Sequence, residues 1–168
     1  MNKPVVNFKK LCASARVPEK KSFGAAAYDI YYPYEDPVTL YASDMRVVSI
    51  GLAVEIPEGW KGEIYSRSGL ASRGIFVVNQ PGKIDSDYRG EIKILLYNSS
   101  STDITLVKGA RIAQFELNPV HDFEWREVDE LSVTERNHAG LGSTGTGLGN
   151  PPAMEEGYRS GKERDVSF

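Results

Sequence analysis

Residues 91–97 read Glu-Ile-Lys-Ile-Leu-Leu-Tyr, and their alternation of apolar and polar side chains decides the fold class. Successive side chains of a strand point to opposite faces, so Ile92, Ile94 and Leu96 share one face and Lys93 lies on the other. An amphipathic helix would instead repeat its apolar residues every three or four positions. This stretch therefore predicts a half-buried β-strand.

The same short period recurs on both sides of that strand. Further strands are predicted over 38–41, 45–56, 75–79, 104–107 and 111–117. Turn formers separate them, and the 168 residues include Gly 16 and Pro 9. The one predicted helix is short, over 68–73, capped by a serine and stopped by Gly74. Many short strands without a long amphipathic helix predict an all-β sandwich or barrel.

Composition and charge exclude several classes of protein. Lys+Arg 20 against Asp+Glu 23 gives a net charge of -3, which argues against nucleic acid as a partner because phosphate-tracking surfaces are basic. Without a long apolar run we expect no membrane span and no signal peptide. The single cysteine, Cys12, cannot form an intrachain disulfide, and we expect it to be a small buried hydrophobe. We expect the protein to be cytoplasmic, or to lie in the host-cell cytoplasm if it is viral.

The composition changes near the C-terminus. Five glycines fall between positions 140 and 149, and Pro151-Pro152 follows them. Such a segment cannot hold a packed core of its own. We therefore predict a β-barrel domain over 1–133, a mobile glycine-rich arm over 134–145 and a disordered tail over 146–168.

Two segments concentrate polar residues in predicted loops. In residues 65–70, Arg67 and Ser68 precede Gly69 at the start of the short helix, which favours an anion site made of a guanidinium, a hydroxyl and free N–H groups. Residues 79–90 are predicted to form a tight hairpin between two strands, and a carboxylate held there could act as a general base on water. Ordinary turn chemistry remains open for both segments.

Two further segments have the same character. In residues 108–115, Gln114 is expected on the strand face of Ile112, opposite Arg111 and Ala113. Gln114 could contact a ligand, or it could be an ordinary solvent-exposed strand residue. In residues 135–145, glycines allow close approach of the backbone to a ligand, and an arginine and two hydroxyls could hold phosphate oxygens. With only two histidines and one cysteine, a zinc site is not expected.

Together these segments resemble the five motifs of the trimeric deoxyuridine triphosphatases, or dUTP diphosphatases. The motifs correspond, in chain order, to residues 26–30, 67–71, 82–90, 109–114 and 136–145, and the similarity runs from about residue 4 to 145. The resemblance implies a jelly-roll-like β barrel that forms a homotrimer, with active sites shared between subunits and completed by the C-terminal arm.

The resemblance also implies the reaction. Members of this family convert dUTP and water to dUMP and pyrophosphate with Mg²⁺ on the triphosphate, which keeps uracil out of DNA and supplies dUMP for dTMP synthesis. Asp85 would be the general base that activates water against the α-phosphorus. Asp29 would hold waters on the magnesium, whose other ligands would be triphosphate oxygens.

The remaining site residues are assigned by the same resemblance. Tyr88 would lie against the deoxyribose, Asn79 and the backbone at Gly82 and Ile84 would pair with uracil, and the phosphate oxygens would be bound by Arg67, Ser68, Gly69 and Gln114. From the arm, Arg136, Gly142, Ser143 and Thr144 would close over the phosphates and Leu141 over the base.

The sequence departs from the family pattern at a few positions. Ala27 stands where the first motif has glycine, Leu141 where an aromatic ring is usual, and residues 137–139 replace a glycine-richer stretch. Two alternatives follow for the function: a dCTP deaminase-like enzyme on the same barrel, or a non-catalytic interaction protein that has kept the scaffold.

Overall fold

The computed structural model describes residues 3–139, which form ten strands and one short helix. The strands are β1 Asn7–Lys10, β2 Tyr28–Tyr31, β3 Val38–Leu40, β4 Met45–Glu55, β5 Trp60–Tyr65, β6 Ile75–Val77, β7 Gly82–Ile84, β8 Glu91–Asn98, β9 Ile104–Leu106 and β10 Arg111–Pro119. The helix, α1, spans Ser68–Ala71. No helix among the described residues has the length and apolarity needed to cross a membrane.

All strand pairs are antiparallel, and they form two four-stranded sheets and one strand pair. The first sheet has the order β1-β4-β8-β6, the second β2-β10-β5-β7, and β3 pairs with β9. The predicted all-β class is confirmed. Apolar side chains from both sheets make one core, and the alternation expected in β8 is observed, with Ile92, Ile94 and Leu96 buried.

Glycine is required at one bend of the longest strand. The register between β4 and β8 shifts between Ser49 and Ala53, and Gly51 lies there with φ +67, in the left-handed region. A Cβ at position 51 would also lie 3.2 Å from the Ala15 Cβ. Glycine is the residue that adopts this conformation without steric cost, and it lets β4 bend across β1 and β8.

Four strands were not predicted, and their sequences show why. All residues of β1 are exposed, so no apolar alternation marks it. In β2 and β5 the alternation is hidden because Asp29 and Glu63, both charged, are buried at 6% exposure. The fourth, β7, has only three residues and follows Pro81.

Buried Glu63 is satisfied by a cluster of donors on the second sheet. Its carboxylate accepts hydrogen bonds from Lys83, from the Tyr65 hydroxyl at 2.8 Å and from Asn118 Nδ2 at 2.7 Å, and Lys61 Nζ lies 3.2 Å away. The hydrogen bond from Lys83, followed by the one from Tyr65, lowers the pKa of Glu63 to about 2, and the same bond raises the pKa of Tyr65. The charged carboxylate is thus part of the folded state.

A Glu63→Gln substitution should make the free energy of unfolding less dependent on pH in the acid range. Because the pKa of Glu63 is about 2 when folded and 4.5 ordinarily, its ionised form stabilises the fold above pH 4.5, and this contribution is lost as the pH falls towards 2. We expect the variant to be less stable than the parent at pH 7, with the difference shrinking below pH 4.5. Urea unfolding at pH 7 and pH 3 measures this, and a pH-independent difference would contradict it.

Three local predictions were wrong. The helix ends at Ala71, and its N-cap is Arg67, which makes no side-chain capping bond, so no serine caps it. The segment 79–90 does connect two paired strands, β6 and β8, but it is not a tight hairpin, because β7 inside it crosses to the second sheet and pairs with β5. Cys12 is half-buried at the edge of the core rather than enclosed in it.

The described chain divides into two compact units, one ending at Phe123 and the other beginning at Glu124. In the second unit a turn is closed by hydrogen bonds between Thr134 and Asn137, and Arg136 Nε donates to the Ala139 carbonyl at 2.9 Å. The predicted boundaries at 133 and 145 stay a prediction, and the tail over 146–168 lies outside the described residues.

Candidate active site

A buried carboxylate holds two arginines together on the second sheet. Asp29 on β2 is 7% exposed in its side chain, and its Oδ1 accepts from Arg67 Nε at 2.8 Å while its Oδ2 accepts from Arg111 Nη1 at 3.1 Å. Arg67 Nη1 also donates to the Arg111 carbonyl at 3.1 Å. One negative and two positive charges leave this cluster with a net charge of +1, which suits an anion.

Strand register explains why these residues meet. Gln114 on β10 is the direct partner of Asp29 on β2 and of Tyr65 on β5, so the three form a row across the sheet. Directly opposed side chains lie on the same face of a sheet. Arg67 comes two residues after Tyr65 and reaches back to Asp29.

The prediction that Gln114 shares a strand face with Ile112 was wrong. A register shift between Arg111 and Ala113 interrupts the alternation of β10, so both Ile112 and Ala113 are buried. Gln114 therefore lies on the Asp29 face instead of sharing a face with Ile112. A bulge of this kind leaves no clear mark in a single sequence.

The segment after β5 is tied to the end of β6 and to the loop that follows β6. Ser66 Oγ accepts from the Val77 N–H at 2.8 Å, and the Ser66 N–H donates to Gln80 Oε1 at 3.1 Å. Ser68 and Gly69, which begin α1, are exposed. These contacts fix the segment that carries Arg67. The roles of Ser66 and Gln80, and the contact of Arg111 with Asp29, were not predicted from the sequence.

The predicted uracil-binding residues come together in the connection between β6 and β7. A Cβ at Gly82 would lie 3.3 Å from Asn79 Nδ2, so the amide of Asn79 packs directly over the backbone of Gly82. Ile84, two residues further along β7, is buried. Asn79 is exposed, and its side-chain amide carries both a donor and an acceptor, as the edge of a base does.

Asp85 follows β7 and is exposed, as is Tyr88. The Tyr88 N–H donates to the Asp85 carbonyl at 3.2 Å, which closes a turn, and the Tyr88 hydroxyl donates to the Glu91 carbonyl at 2.9 Å. Within residues 3–139, no donor forms a hydrogen bond with the carboxylate of Asp85. Both side chains are therefore accessible to a ligand from one loop.

The two halves of the predicted site lie at opposite ends of one strand. Ile84 pairs with Gly62, so Asp85 lies beside Lys61 at the start of β5, whereas Arg67 follows the end of β5. At about 3.3 Å per residue, these positions are about 20 Å apart. One chain does not bring its own Asp85 to its own Arg67.

The other predicted site residues stand as follows. Arg136 is described, and Leu141, Gly142, Ser143 and Thr144 lie outside the described residues. Among residues 3–139 no three histidine, cysteine, aspartate or glutamate side chains are grouped as a metal site. The expectation that the chain has no zinc site stays a prediction.

An accessible carboxylate and an arginine pair held on an all-β scaffold fit a hydrolase that cleaves a phosphoanhydride bond. A family model described as dUTPase matches residues 13–145. The deoxyuridine 5'-triphosphate nucleotidohydrolase of Hydrogenobaculum sp. is 44% identical over 138 residues, which are 82% of this chain and 95% of that protein. The enzyme of the same name from Anaplasma marginale is 43% identical and covers 73% of this chain and 84% of its own length.

Solved structures agree with the sequence comparisons. The dUTPase of Staphylococcus bacteriophage 80alpha with dUPNHPP has a TM-score of 0.75 at 30% identity, covering 84% of this chain and 98% of that chain. A mutant dUTPase from phage phi11 of S. aureus, whose structure shows the coordination of a structural Mg(II) ion, has a TM-score of 0.69 at 25% identity, covering 77% of this chain and 99% of that chain. The chain therefore belongs to the dUTPase family. The predictions of the family, of its jelly-roll-like β barrel and of a dUTP diphosphatase are confirmed.

Proposed function

We propose that this chain hydrolyses dUTP to dUMP and pyrophosphate with Asp85 as the general base. The observation that carries the proposal is the Asp29–Arg67–Arg111 cluster, a preformed anion site in a member of the dUTPase family. Phosphoryl-type transfer depends mainly on positioning and on stabilising negative charge, so an anion site and a base are the parts it needs.

Asp85 orients a water molecule and takes its proton. The water oxygen forms a bond to the α-phosphorus while the bond from that phosphorus to the α–β bridging oxygen breaks. The proton of the water passes to a carboxylate oxygen of Asp85. Pyrophosphate leaves with the electron pair of the broken bond. The exposure of Asp85 in a turn after β7 supports this role, since a base must reach the water it activates.

The phosphate oxygens are bound by Arg67, Ser68 and Gln114, with the N–H of Gly69 beside them. Arg67 is directed by two acceptors, Asp29 Oδ1 and the Arg111 carbonyl, which leave its Nη2 for a ligand. Gln114 shares the face of Asp29 and supports the same assignment. We add Arg111 to this group, because its side chain is 43% exposed and its guanidinium contacts the same carboxylate.

Magnesium accompanies the triphosphate in this proposal. The donor set fits an ion carried by the substrate, because the described residues offer no cage of carboxylates and Asp29 has only its remaining lone pairs for waters on the metal. When bound, the ion neutralises charge on the phosphate oxygens. The chain's own contribution is to hold the arginines that bind those oxygens.

Base and sugar are read by the connection from β6 to β8. Asn79 and the backbone of Gly82 and Ile84 pair with the uracil edge, and the packing of Asn79 on Gly82 supports this assignment. The Tyr88 ring lies against the deoxyribose and leaves no space for a 2′-hydroxyl. A site without space for this hydroxyl discriminates against UTP because it binds the transition state for UTP less tightly than that for dUTP.

The active chain is proposed to be a homotrimer with sites shared between subunits. The separation of about 20 Å along β5 between Asp85 and Arg67 supports this, because both side chains are assigned to one triphosphate and one chain holds them at opposite ends of the strand. A site that uses both residues takes them from different copies. Light scattering of the purified protein tests the stoichiometry.

The C-terminal arm is proposed to complete a neighbouring site in a cytoplasmic enzyme. Arg136, Gly142, Ser143 and Thr144 would close over the β- and γ-phosphates and Leu141 over the base. A chain ending at Val133 is expected to keep its assembly and to lose most of its turnover, because only ligand contacts are removed. Light scattering and pyrophosphate release measure both, and monomers would mean that the arm holds the assembly together.

A nucleotide panel tests the proposed function itself. Pyrophosphate release is measured with dUTP, dCTP, dTTP and UTP, together with ammonia release from dCTP. Release from dUTP alone supports the proposal, ammonia from dCTP would indicate the deaminase, and no product from any nucleotide would indicate the binding protein.

A further inference from the structure

The ring of Tyr88 lies in a space that exists only because residue 90 is glycine. A Cβ at position 90 would lie 2.6 Å from Tyr88 Cζ and 2.9 Å from its Cε2, and closer still to its hydroxyl oxygen. Contacts of this length do not occur between a Cβ and another carbon, so a side chain at 90 would displace the ring.

Backbone conformation does not account for glycine at this position. Among the described residues the glycines with positive φ are Gly51, Gly59, Gly74 and Gly109, and Gly90 is not one of them. Its φ therefore lies outside the left-handed region that favours glycine. The constraint at position 90 is the ring of Tyr88.

The ring is held against a fixed point of the fold. Its hydroxyl donates to the Glu91 carbonyl at 2.9 Å. The Glu91 carboxylate accepts from the Gly51 N–H at 2.9 Å, from Ser49 Oγ at 3.1 Å and from the Tyr34 hydroxyl at 3.1 Å. Burial, together with the last of these bonds, raises the pKa of Tyr34 to about 12. Glu91 is thus tied to β4, and its carbonyl gives the ring a defined position.

We infer that Gly90 is a specificity-determining residue that acts through Tyr88. By leaving the space under the ring empty, Gly90 lets the ring approach the sugar in the position that excludes a 2′-hydroxyl. Because Tyr88 is 42% exposed, a side chain at 90 would push the ring outward rather than unfold the barrel. The inference rests on the proposed contact of Tyr88 with the deoxyribose.

The test is the ratio of kcat/KM for dUTP to kcat/KM for UTP in the full chain. This ratio does not depend on the fraction of active enzyme, so partial misfolding of a variant leaves it unchanged. Gly90→Ala is expected to lower the ratio about tenfold, within the range of about 10–200-fold that one methylene-sized misfit produces. Gly24→Ala is the matched control, because a Cβ at Gly24 meets nothing within 4 Å and its φ is not positive; its ratio should equal that of the parent.

A double variant separates action through Tyr88 from any other effect. Tyr88→Ala should lower the ratio by itself, and adding Gly90→Ala to it should change nothing further. A parental ratio in Gly90→Ala, or a further fall in the double variant, would overturn the inference. A Tyr88→Ala variant with the parental ratio would overturn the sugar-binding role of Tyr88 and the inference with it, while a parent that does not hydrolyse dUTP would overturn the proposed function first.

Discussion

Asp85→Asn is expected to lower kcat for dUTP hydrolysis by about 10²–10⁴-fold, the range over which a positioned general base accelerates reactions. The amide keeps the size and shape of the carboxylate, and the turn bond at this residue uses the Asp85 carbonyl rather than the side chain. Binding of a non-hydrolysable dUTP analogue should therefore change little. Single-turnover pyrophosphate release measures the loss, and titration calorimetry measures the binding.

The matched control for this variant is Asp87→Asn, two residues further along the same loop. Asp87 is also exposed, so the change removes the same charge from the same surface. If the two variants lost activity equally, the loss would be an effect of loop charge. Near-parental turnover in Asp85→Asn would remove Asp85 from the role of base.

The sequence predicted the parts of the fold in which burial follows side-chain polarity. In β8 the apolar residues face the core, and the strand was recognised from them. In β2 and β5 this link is broken, because Asp29 is buried against Arg111 of β10 and Glu63 against Lys83 of β7. A buried charge can be recognised only once its partner is known, and the Asp29–Arg111 partners are 82 residues apart.

The candidate site shows the same division. Arg67, Asp85 and Tyr88 were predicted as site residues from the motifs that contain them, because each motif is a short continuous stretch of sequence. Their arrangement was not, because it depends on the bulge in β10 and on the crossing of β7 to the second sheet. The separation of Asp85 from Arg67 follows from strand register, which no single motif contains.

Asp29→Asn is expected to lower kcat/KM for dUTP by about 10²-fold. The carboxylate accepts from both arginines, and an amide in its place would face one of them with its NH₂ group, so Arg67 would lose its direction. Removing one preorganised donor from developing charge costs about 10²–10³ in rate. Loss of the Asp29 charge opposes this effect in part, because it also removes a repulsion between the carboxylate and the bound phosphates.

Binding with and without magnesium separates the two roles of Asp29. If the carboxylate directs Arg67, the variant should bind a non-hydrolysable dUTP analogue about tenfold more weakly in EDTA, where no metal contributes. If it also holds waters on the metal, excess magnesium should widen the difference. Asp36→Asn, an exposed loop aspartate, is the charge-matched control and should bind as the parent does in both conditions. Parental affinity of Asp29→Asn in EDTA would show that the arginines keep their position without this carboxylate, and the anion site would then have to be assigned to other contacts.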